Sequence, residues 1–432
     1  MLEKNSLYFN IQYILLLLAM VSLPVTSFLM LPIGMVIFIV WLLEGQWKKK
    51  RQRLKQPYHL LFFIVFIAFY LLHLIGLIYT PDLKGGLSEI EGKTWLLVAP
   101  LLFFTVDPSL MTRKRINYLF YFFLFSLSLV ILVNLGISTV DFFSTHSITS
   151  FFYAGLSHHM HPSYQSLYTC VAFAVTFYLL FINRVYTGKI ARRLLWGGLI
   201  LFTLYIFLLQ SKAGLLAFIA IILLLGLWLI NLKKKRWVLS IAFLGAFIAV
   251  AGLVVLIMPS SVNRIGTALH SLDESTDDNP KGGTQQRLKV WELSWELALD
   301  HLPFGVGPGA VQETLNQAYQ EKGYTYIYQK SLNSHNQYLQ TFLSLGILGI
   351  LSLLAYMLLP LGLAVKRKDV LYIAFFVIIL LNLMVESMLE RRAGCDFIAL
   401  FSALLCYRMI YSPFSSDNKE RETGDTAILP EE

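Results

Sequence analysis

The sequence predicts an all-α protein that crosses a membrane many times. Hydrophobic residues make up 56% of the 432 residues and charged residues only 14%, whereas a typical soluble domain carries about 25% charged residues. The hydrophobic residues are concentrated in runs of about 20, the length that a helix needs to cross a bilayer core of about 30 Å. These observations exclude an ordinary soluble enzyme, a disordered chain and a disulfide scaffold.

We predict a polytopic helical bundle of about twelve spans, with one long, partly helical loop on the outer side of the membrane. The predicted spans are 8–23, 25–43, 58–79, 94–106, 116–135, 162–182, 194–210, 214–231, 237–258, 336–360, 370–388 and 394–411. No small-residue cleavage site follows the first run, which is therefore interpreted as a retained span and not as a signal peptide.

Positive charge in the loops predicts the orientation of these spans. Five loops hold 20 Lys and Arg in about 44 residues, namely 44–57, 107–115, 183–193, 231–236 and 366–369. The intervening loops hold 11 in about 126 residues. Because Lys/Arg-rich loops stay in the cytoplasm, both termini are predicted to be cytoplasmic. The formal charge of +9 is thus interpreted as a topology signal, and no nucleic-acid partner is predicted.

The chain divides into four predicted parts. They are spans one to nine (1–258), a long outer loop (259–335), the last three spans (336–411) and a disordered cytoplasmic tail (412–432). Within the loop, Leu288, Trp291, Trp295 and Leu299 recur at helical spacing. This periodicity predicts an amphipathic helix, and the following segment PFGVGPG is predicted to be a turn that ends it.

The polar residues best suited to catalysis or to binding a ligand lie on the outer side. His335, where the long loop meets span 336–360, could take a proton from a hydroxyl near neutral pH, or it could anchor a helix end that the preceding Ser or Asn caps. Arg287 opens the amphipathic helix, where a guanidinium either binds phosphate in a bidentate manner or is only solvated. Lys212 lies between two apolar spans; such a cation is functional or paired, or it reaches to the interface.

Two further clusters are interpreted more simply. Arg391 and Arg392 form a cationic pair that Glu386 and Glu390 could neutralise. The three histidines of SHHMHPS, His158, His159 and His161, could bind a metal, but no Cys and few acidic residues accompany them and no HExxH motif is present. No metal site is therefore predicted, and Cys170, Cys395 and Cys406 form neither a metal spacing nor a disulfide framework.

Three motifs, in this order, resemble those of the O-antigen ligase/polymerase superfamily of bacterial inner-membrane glycosyltransferases. They are QSKAGLLAF, TQQRLKVWELSWELALDHLPFGVGPGA and NSHNQYLQTFLSLGILGILSLL, which together cover about residues 205–355. The resemblance implies a multi-pass protein of the bacterial inner membrane. It also implies the transfer of a glycan from undecaprenyl pyrophosphate to an acceptor hydroxyl at the periplasmic face, without metal or cofactor.

The resemblance also implies roles for individual residues. Lys212 and Arg287 would bind the pyrophosphate, and His335 would be catalytic, together with Arg287 as it stabilises the leaving group. Asn336, His161 and Arg391 are candidate substrate contacts. Lys212 departs from the arginine usual in the family: lysine keeps the charge and loses the planar fork.

Within the superfamily, the sequence favours a ligase, which uses a lipid A-core sugar as acceptor in lipopolysaccharide biosynthesis. The basis is one long periplasmic loop with an Arg-opened helix followed by an HNxYLQ motif. The alternatives are an O-antigen polymerase, whose acceptor is another lipid-linked repeat, and a protein O-oligosaccharyltransferase. A lipid or sugar transporter is the alternative from another class, but transporters commonly contain internal repeats and the sequence shows no clear repeat.

Overall fold

The computed structural model describes residues 2–183, 188–232 and 283–411, together with positions 245, 248 and 252. Within this part of the chain the secondary structure is helical and contains no β-strand. The predicted all-α membrane class is confirmed. The predicted span 237–258 lies almost wholly outside the described residues, as do the first part of the long loop and the C-terminal tail.

The described α-helices are labelled in chain order. They are α1 (Leu2–Val25), α2 (Met30–Glu44), α3 (Trp47–Leu54), α4 (His59–Gly76), α5 (Leu83–Gly92), α6 (Trp95–Thr105), α7 (Arg113–Thr145), α8 (Pro162–Phe181), α9 (Lys189–Leu209), α10 (Lys212–Leu232), α11 (Gly283–Asp300), α12 (Val311–Glu321), α13 (Thr325–Gln329), α14 (Gln337–Lys366), α15 (Val370–Val385) and α16 (Arg392–Tyr411). Short 3-10 turns occupy Ile148–Phe151, Tyr153–Gly155 and Met388–Glu390.

Eight of the described helices are long and apolar enough to cross a membrane, namely α1, α4, α7, α8, α9, α10, α14 and α16. Helices α2 and α3 meet at 108° and add a ninth if the pair forms one bent span. Two predicted spans are shorter helices, because α6 has 11 residues and α15 has 16. The count of about twelve spans therefore stays a prediction.

Helices α8 and α16 lie at the centre of the bundle, almost completely buried by the other helices. Because lipid tails give helices no hydrophobic reason to associate, such contacts depend on close packing at small residues. Helix α10 approaches α8 at Gly214, where an added Cβ would come within 2.4 Å of Ser166. One helical turn after Ser166 on α8, Cys170 Sγ lies 3.5 Å from the carbonyl oxygen of the same Gly214.

Several Lys/Arg-rich loops pack together at one end of the bundle. Arg53 Nη2 lies 2.8 Å from Asp107 Oδ2, and Arg367 Nη1 donates to the carbonyl oxygens of Met409 (2.6 Å) and Ile410 (2.9 Å). Helix α14 has 30 residues and rises about 1.5 Å per residue. It therefore separates this end from the end at which the long loop joins the bundle.

The long loop contains the predicted amphipathic helix as α11, but the predicted apolar stripe is not its buried face. The buried residues are Gln286, Val290, Leu293, Ser294 and Ala298. Leu288, Trp295 and Leu299 are exposed. Helix α11 packs against α14, and its buried Val290, Leu293 and Ala298 belong to one apolar cluster with Phe342 and Leu343 of α14.

The segment PFGVGPG is more than the predicted turn, because it inserts into a break in α14. The break is at Gly346, whose φ is +61°. The Val306 N–H donates to the Leu343 carbonyl (2.9 Å) and the Ile347 N–H donates to the Pro303 carbonyl (3.0 Å). A Cβ on Gly346 would lie 1.9 Å from that carbonyl oxygen, so only glycine fits. Main-chain bonds thus join the loop to the helix that follows His335.

Candidate functional site

His335 lies at the junction between the long loop and α14. Its backbone is left-handed, with φ +43°, and its N–H donates to Asn333 Oδ1 (3.0 Å). The next residue, Asn336, caps α14 by accepting from the N–H groups of Tyr338 (2.9 Å) and Leu339 (3.2 Å). The cap is therefore the residue after His335 and not the Ser or Asn before it. The predicted substrate contact of Asn336 stays a prediction, since its side chain lines neither of the cavities described below.

Glu386, directly after α15, binds two of the predicted site residues. Its Oε1 lies 3.0 Å from His335 Nδ1 and its Oε2 lies 3.5 Å from Arg287 Nη2. Burial raises the pKa of the Glu386 carboxyl, but the hydrogen bond from His335 and the charge of Arg287 outweigh burial and hold that pKa below its usual value. Glu386 is therefore a carboxylate at neutral pH.

This carboxylate orients the imidazole of His335. An ionised carboxylate can only accept hydrogen bonds, so Nδ1 of His335 carries the proton that it shares with Glu386. In the neutral ring Nε2 is then the nitrogen with a free lone pair. The His335 side chain is 23% exposed and that of Glu386 is 10% exposed. The arrangement therefore holds a proton acceptor at an accessible position.

Two cavities meet at this group of residues. A small cavity of about 430 Å³ and a large cavity of about 1120 Å³ share Tyr153, Arg287, Leu332, His335 and Glu386 in their walls. The small cavity is also lined by Lys212 and by several apolar side chains of α9, α10 and α15. The large cavity extends to the other side, over the segments that carry His161 and Arg391.

Lys212 begins α10 and lies next to the first turns of α11. Its Nζ is 3.4 Å from Thr284 Oγ1, and Thr284 precedes Arg287 by one helical turn. Lys212, Arg287 and His335, which the sequence predicted to meet at the outer face, all line the small cavity. The first and third motifs are therefore in contact with the second.

His161 and Arg391 line the large cavity. His161 caps α8 through a hydrogen bond from the Ser163 N–H to its Nδ1 (3.3 Å). Burial lowers the pKa of His161; the Glu386 carboxylate opposes this effect, whereas Arg287, His335 and Arg391 add to it. His161 is therefore mainly neutral at neutral pH.

Arg391 has no ion pair in the part of the chain that the structure describes. The prediction that Glu386 and Glu390 neutralise Arg391 and Arg392 is wrong: Glu386 binds Arg287 and His335, and Glu390 binds Lys93. Arg392 pairs instead with Glu91. Ion pairs follow from which helix ends meet in space, and neighbours in sequence were a poor guide here.

Sequence reasoning missed a second buried ionic cluster beside the large cavity. Lys93 Nζ lies 3.3 Å from Glu89 Oε2 and 3.2 Å from Glu390 Oε2, and Gln337 Nε2 donates to Glu390 Oε1 (2.9 Å). Burial lowers the pKa of Lys93, but the carboxylates of Glu390 and Glu89 raise it above its usual value. A lysine directly before an apolar helix was the signal that could have revealed this cluster.

The histidines of SHHMHPS do not gather around one point. His158 Nε2 lies 3.3 Å from Ser138 Oγ, whereas His159 and His161 line the large cavity. Across the described ranges, no group of three or more His, Cys, Asp and Glu side chains is placed to hold a metal ion.

Comparison with known proteins adds a family match. A family model described as O-antigen ligase matches residues 196–354. The matched segment contains Lys212, Arg287 and His335, whereas Glu386 and Arg391 lie beyond it. Comparison with curated proteins gives no match.

Proposed function

Because the match over residues 196–354 supports membership of the O-antigen ligase superfamily, we propose that the protein transfers a glycan from undecaprenyl pyrophosphate to an acceptor hydroxyl. The form that we favour is a ligase whose acceptor is a sugar of the lipid A core. The observation that carries the proposal is the small cavity, which Lys212, Arg287 and His335 line together.

The lining of the small cavity suits a lipid-linked pyrophosphate. Lys212 and Arg287 supply two positive charges, and Phe207, Leu215 and Val385 supply apolar surface beside them. An arginine fork matches phosphate oxygens in a bidentate manner, and a lysine adds a point charge. Negative charge builds on the pyrophosphate as the sugar C1–O bond breaks, so cations already in position lower the barrier.

His335 would act as the general base. Its Nε2 takes the proton of the acceptor hydroxyl, the acceptor oxygen bonds to C1 of the donor sugar, and the bond from C1 to the phosphate oxygen breaks with its electron pair leaving on the pyrophosphate. Attack opposite the leaving group inverts the configuration at C1. Glu386 holds the ring and stabilises the imidazolium that forms, as the buried carboxylate does in a serine protease triad.

A transfer assay with purified full-length protein and a lipid-linked glycan donor, in the presence of a chelator, tests the proposal. His335→Ala is expected to lower the rate by about 10²–10⁴. The matched control is Lys322→Gln, since Lys322 pairs with Glu296 at the surface and lines neither cavity. If His335→Ala transfers glycan as fast as the wild type, the assignment of the base is wrong.

The acceptor distinguishes the ligase from the alternatives. In a deletion strain, loss of a ligase leaves long glycan on the lipid carrier, whereas loss of a polymerase leaves single repeats. Loss of a protein O-oligosaccharyltransferase leaves lipopolysaccharide unchanged and removes glycan from proteins. These three outcomes are separated by one gel of lipopolysaccharide and one of glycoproteins.

We also propose that the protein lies in the bacterial inner membrane with both termini in the cytoplasm and the loop 259–335 in the periplasm. The Lys/Arg-rich loops that pack together around Arg53 and Arg367 support this orientation. Reporter fusions at the C-terminus and labelling of a cysteine at Lys322 from the periplasmic side test it. Labelling from the cytoplasmic side would contradict it.

A further inference from the structure

The two cavities place His335 between two separate spaces. His335, Arg287 and Glu386 line both cavities, Lys212 lines only the small one, and Arg391 lines only the large one. A transferase needs its base where the two substrates meet. If the small cavity holds the donor, as the proposed function has it, the acceptor approaches His335 through the large cavity.

We propose that the large cavity receives the acceptor and that Arg391 and Lys330 bind an anionic group on that acceptor, either a phosphate or a carboxylate. The proposal rests on the proposed function for the identity of the large cavity as the acceptor side. Its new content is a binding subsite and the chemical class of acceptor that fits it.

The wall of the large cavity contains more basic than acidic side chains. The basic residues are Lys93, Arg287, Lys330, Arg391 and Arg392, and the acidic residues are Glu89, Glu386 and Glu390. Each of these acidic residues is bound to a cation: Glu89 and Glu390 to Lys93, and Glu386 to Arg287.

Two cations remain after these pairs are taken into account. Arg392 pairs with Glu91, which lies outside the cavity wall. Arg391 and Lys330 have no carboxylate partner among the described residues, and both are exposed. The large cavity therefore presents an excess of positive charge at these two residues, a charge that an anionic ligand would complement.

The surroundings of Arg391 and Lys330 hold them beside the cavity. The Arg391 carbonyl accepts from the N–H groups of Gly394 (3.0 Å) and Cys395 (2.9 Å), which ties its backbone to the first turn of α16. Lys330 Nζ lies 4.5 Å from the centre of the Tyr326 ring, a cation–π contact that leaves ammonium protons free for a ligand.

Arg391 lines the same cavity as His161 and His335. An anionic group bound at Arg391 would therefore lie in the cavity that reaches the proposed base. The guanidinium fork accommodates two oxygens of a phosphate or a carboxylate equally well, so the structure defines the shared chemistry and the experiment separates the two.

The test uses purified full-length protein and three versions of one short oligosaccharide, carrying a phosphate monoester, a carboxylate or only hydroxyl groups. Dissociation constants are measured by calorimetry for the wild type, Arg391→Gln, Lys330→Gln and the control Lys322→Gln. Arg391→Gln is expected to weaken binding of an anionic oligosaccharide about tenfold or more, the size of one hydrogen bond between charged groups. Binding of the neutral oligosaccharide should change less than about twofold, and the control should match the wild type.

Transfer kinetics give the second readout. Arg391→Gln should raise the KM for the anionic acceptor and leave kcat and the donor KM near their wild-type values. A larger effect on the phosphate than on the carboxylate version, or the reverse, identifies the anion. Equal losses for charged and neutral oligosaccharides, or a raised donor KM, would overturn the proposal.

The two proposals fail in different ways. Arg391-dependent binding of the anionic oligosaccharide by a protein that transfers nothing from the lipid-linked donor would support the anion subsite and overturn the proposed function. Transfer with the same dissociation constant for all three oligosaccharides would support the function and overturn the subsite.

Discussion

Two glutamates four residues apart, Glu386 and Glu390, form ionic clusters of opposite character. Glu390 shares Lys93 with Glu89, so this cluster holds two carboxylates and one cation, and the Lys93 side chain is only 2% exposed. Glu386 is shared by Arg287 and His335, whose side chains are 33% and 23% exposed. The first cluster neutralises a buried charge. The second keeps basic groups in excess where a ligand can reach them.

The excess of acid in the first cluster is visible in Glu89. Burial and the charge of Glu390 raise the pKa of Glu89, and the charge of Lys93 opposes them without cancelling them. Glu89 therefore takes up a proton more readily than an exposed glutamate, which limits the repulsion between the two carboxylates. An ionic cluster is thus a poor marker of function by itself; the two clusters differ in the exposure of their basic members, and only the second offers such members to a ligand.

The comparison predicts the largest effect for Lys93→Met. Removing one partner of a buried ion pair leaves uncompensated charge and costs about 3–5 kcal/mol of stability, here at Glu89 and Glu390. The thermal midpoint in detergent should fall sharply. The double variant Lys93→Met/Glu390→Gln should recover much of the loss. A single variant as stable as the wild type would contradict a structural role.

Arg287→Met should show the opposite pattern. The Arg287 side chain is 33% exposed, and in the variant the Glu386 carboxylate still has its hydrogen bond to His335. The thermal midpoint should therefore stay close to that of the wild type. The rate of transfer should fall by about 10²–10³, the cost of removing one group that stabilises developing negative charge. Arg287→Lys serves as the matched variant and should retain part of the rate. A stability loss as large as that of Lys93→Met would contradict the proposed difference between the two ionic clusters.

Glu386→Gln tests whether this carboxylate positions His335. The loss of a hydrogen bond to a charged group, about 1.5–3 kcal/mol, predicts a decrease in kcat of about 10- to 100-fold. The loss should fall on kcat and leave the KM for the donor near its wild-type value, because Glu386 acts by orienting the His335 ring. A merely structural glutamate would change the amount of folded protein and leave kcat per folded molecule unaltered.

The smallest expected effect concerns stability in acid. The pKa of Glu386 in the folded protein lies below the ordinary value of 4.5, so its contribution to stability is fully present above about pH 4.5 and is lost as the pH falls through the folded value. Between pH 7 and pH 4 the thermal midpoint of the wild type should fall more than that of Glu386→Gln, by about 2 °C. An equal decrease in both proteins would show that Arg287 and His335 do not stabilise the charged form of Glu386.

The sequence placed Lys212, Arg287 and His335 on the outer side of the membrane, and the resemblance to the O-antigen ligase superfamily implied that they act on one pyrophosphate. It did not predict Glu386 as their partner. Helices α14 and α15 pack against each other, and the Leu389 N–H donates to Gln337 Oε1 (2.7 Å), so the chain just after α15 meets the start of α14. Pairing the ends of consecutive spans would have placed Glu386 beside His335.

The buried face of α11 shows a different limit. Periodicity identifies a helix with apolar positions, and it predicted the helix correctly over Leu288–Leu299. It does not tell which of two adjacent stripes a neighbouring helix covers. The buried face of α11 includes Ser294 and Ala298, and such small residues add little to an apolar pattern.

The insertion of PFGVGPG into the break of α14 has a consequence for how such proteins can diversify. Val306 and Gly307 donate to the carbonyl oxygens of Leu343 and Ser344, each at 2.9 Å, and Gly346 admits the Pro303 carbonyl. Main-chain hydrogen bonds do not depend on the side chain, so most amino-acid replacements at these positions, other than at the glycines, should leave them intact. Residues around the cavities can therefore be replaced without disturbing the main-chain bonds that join this loop to α14.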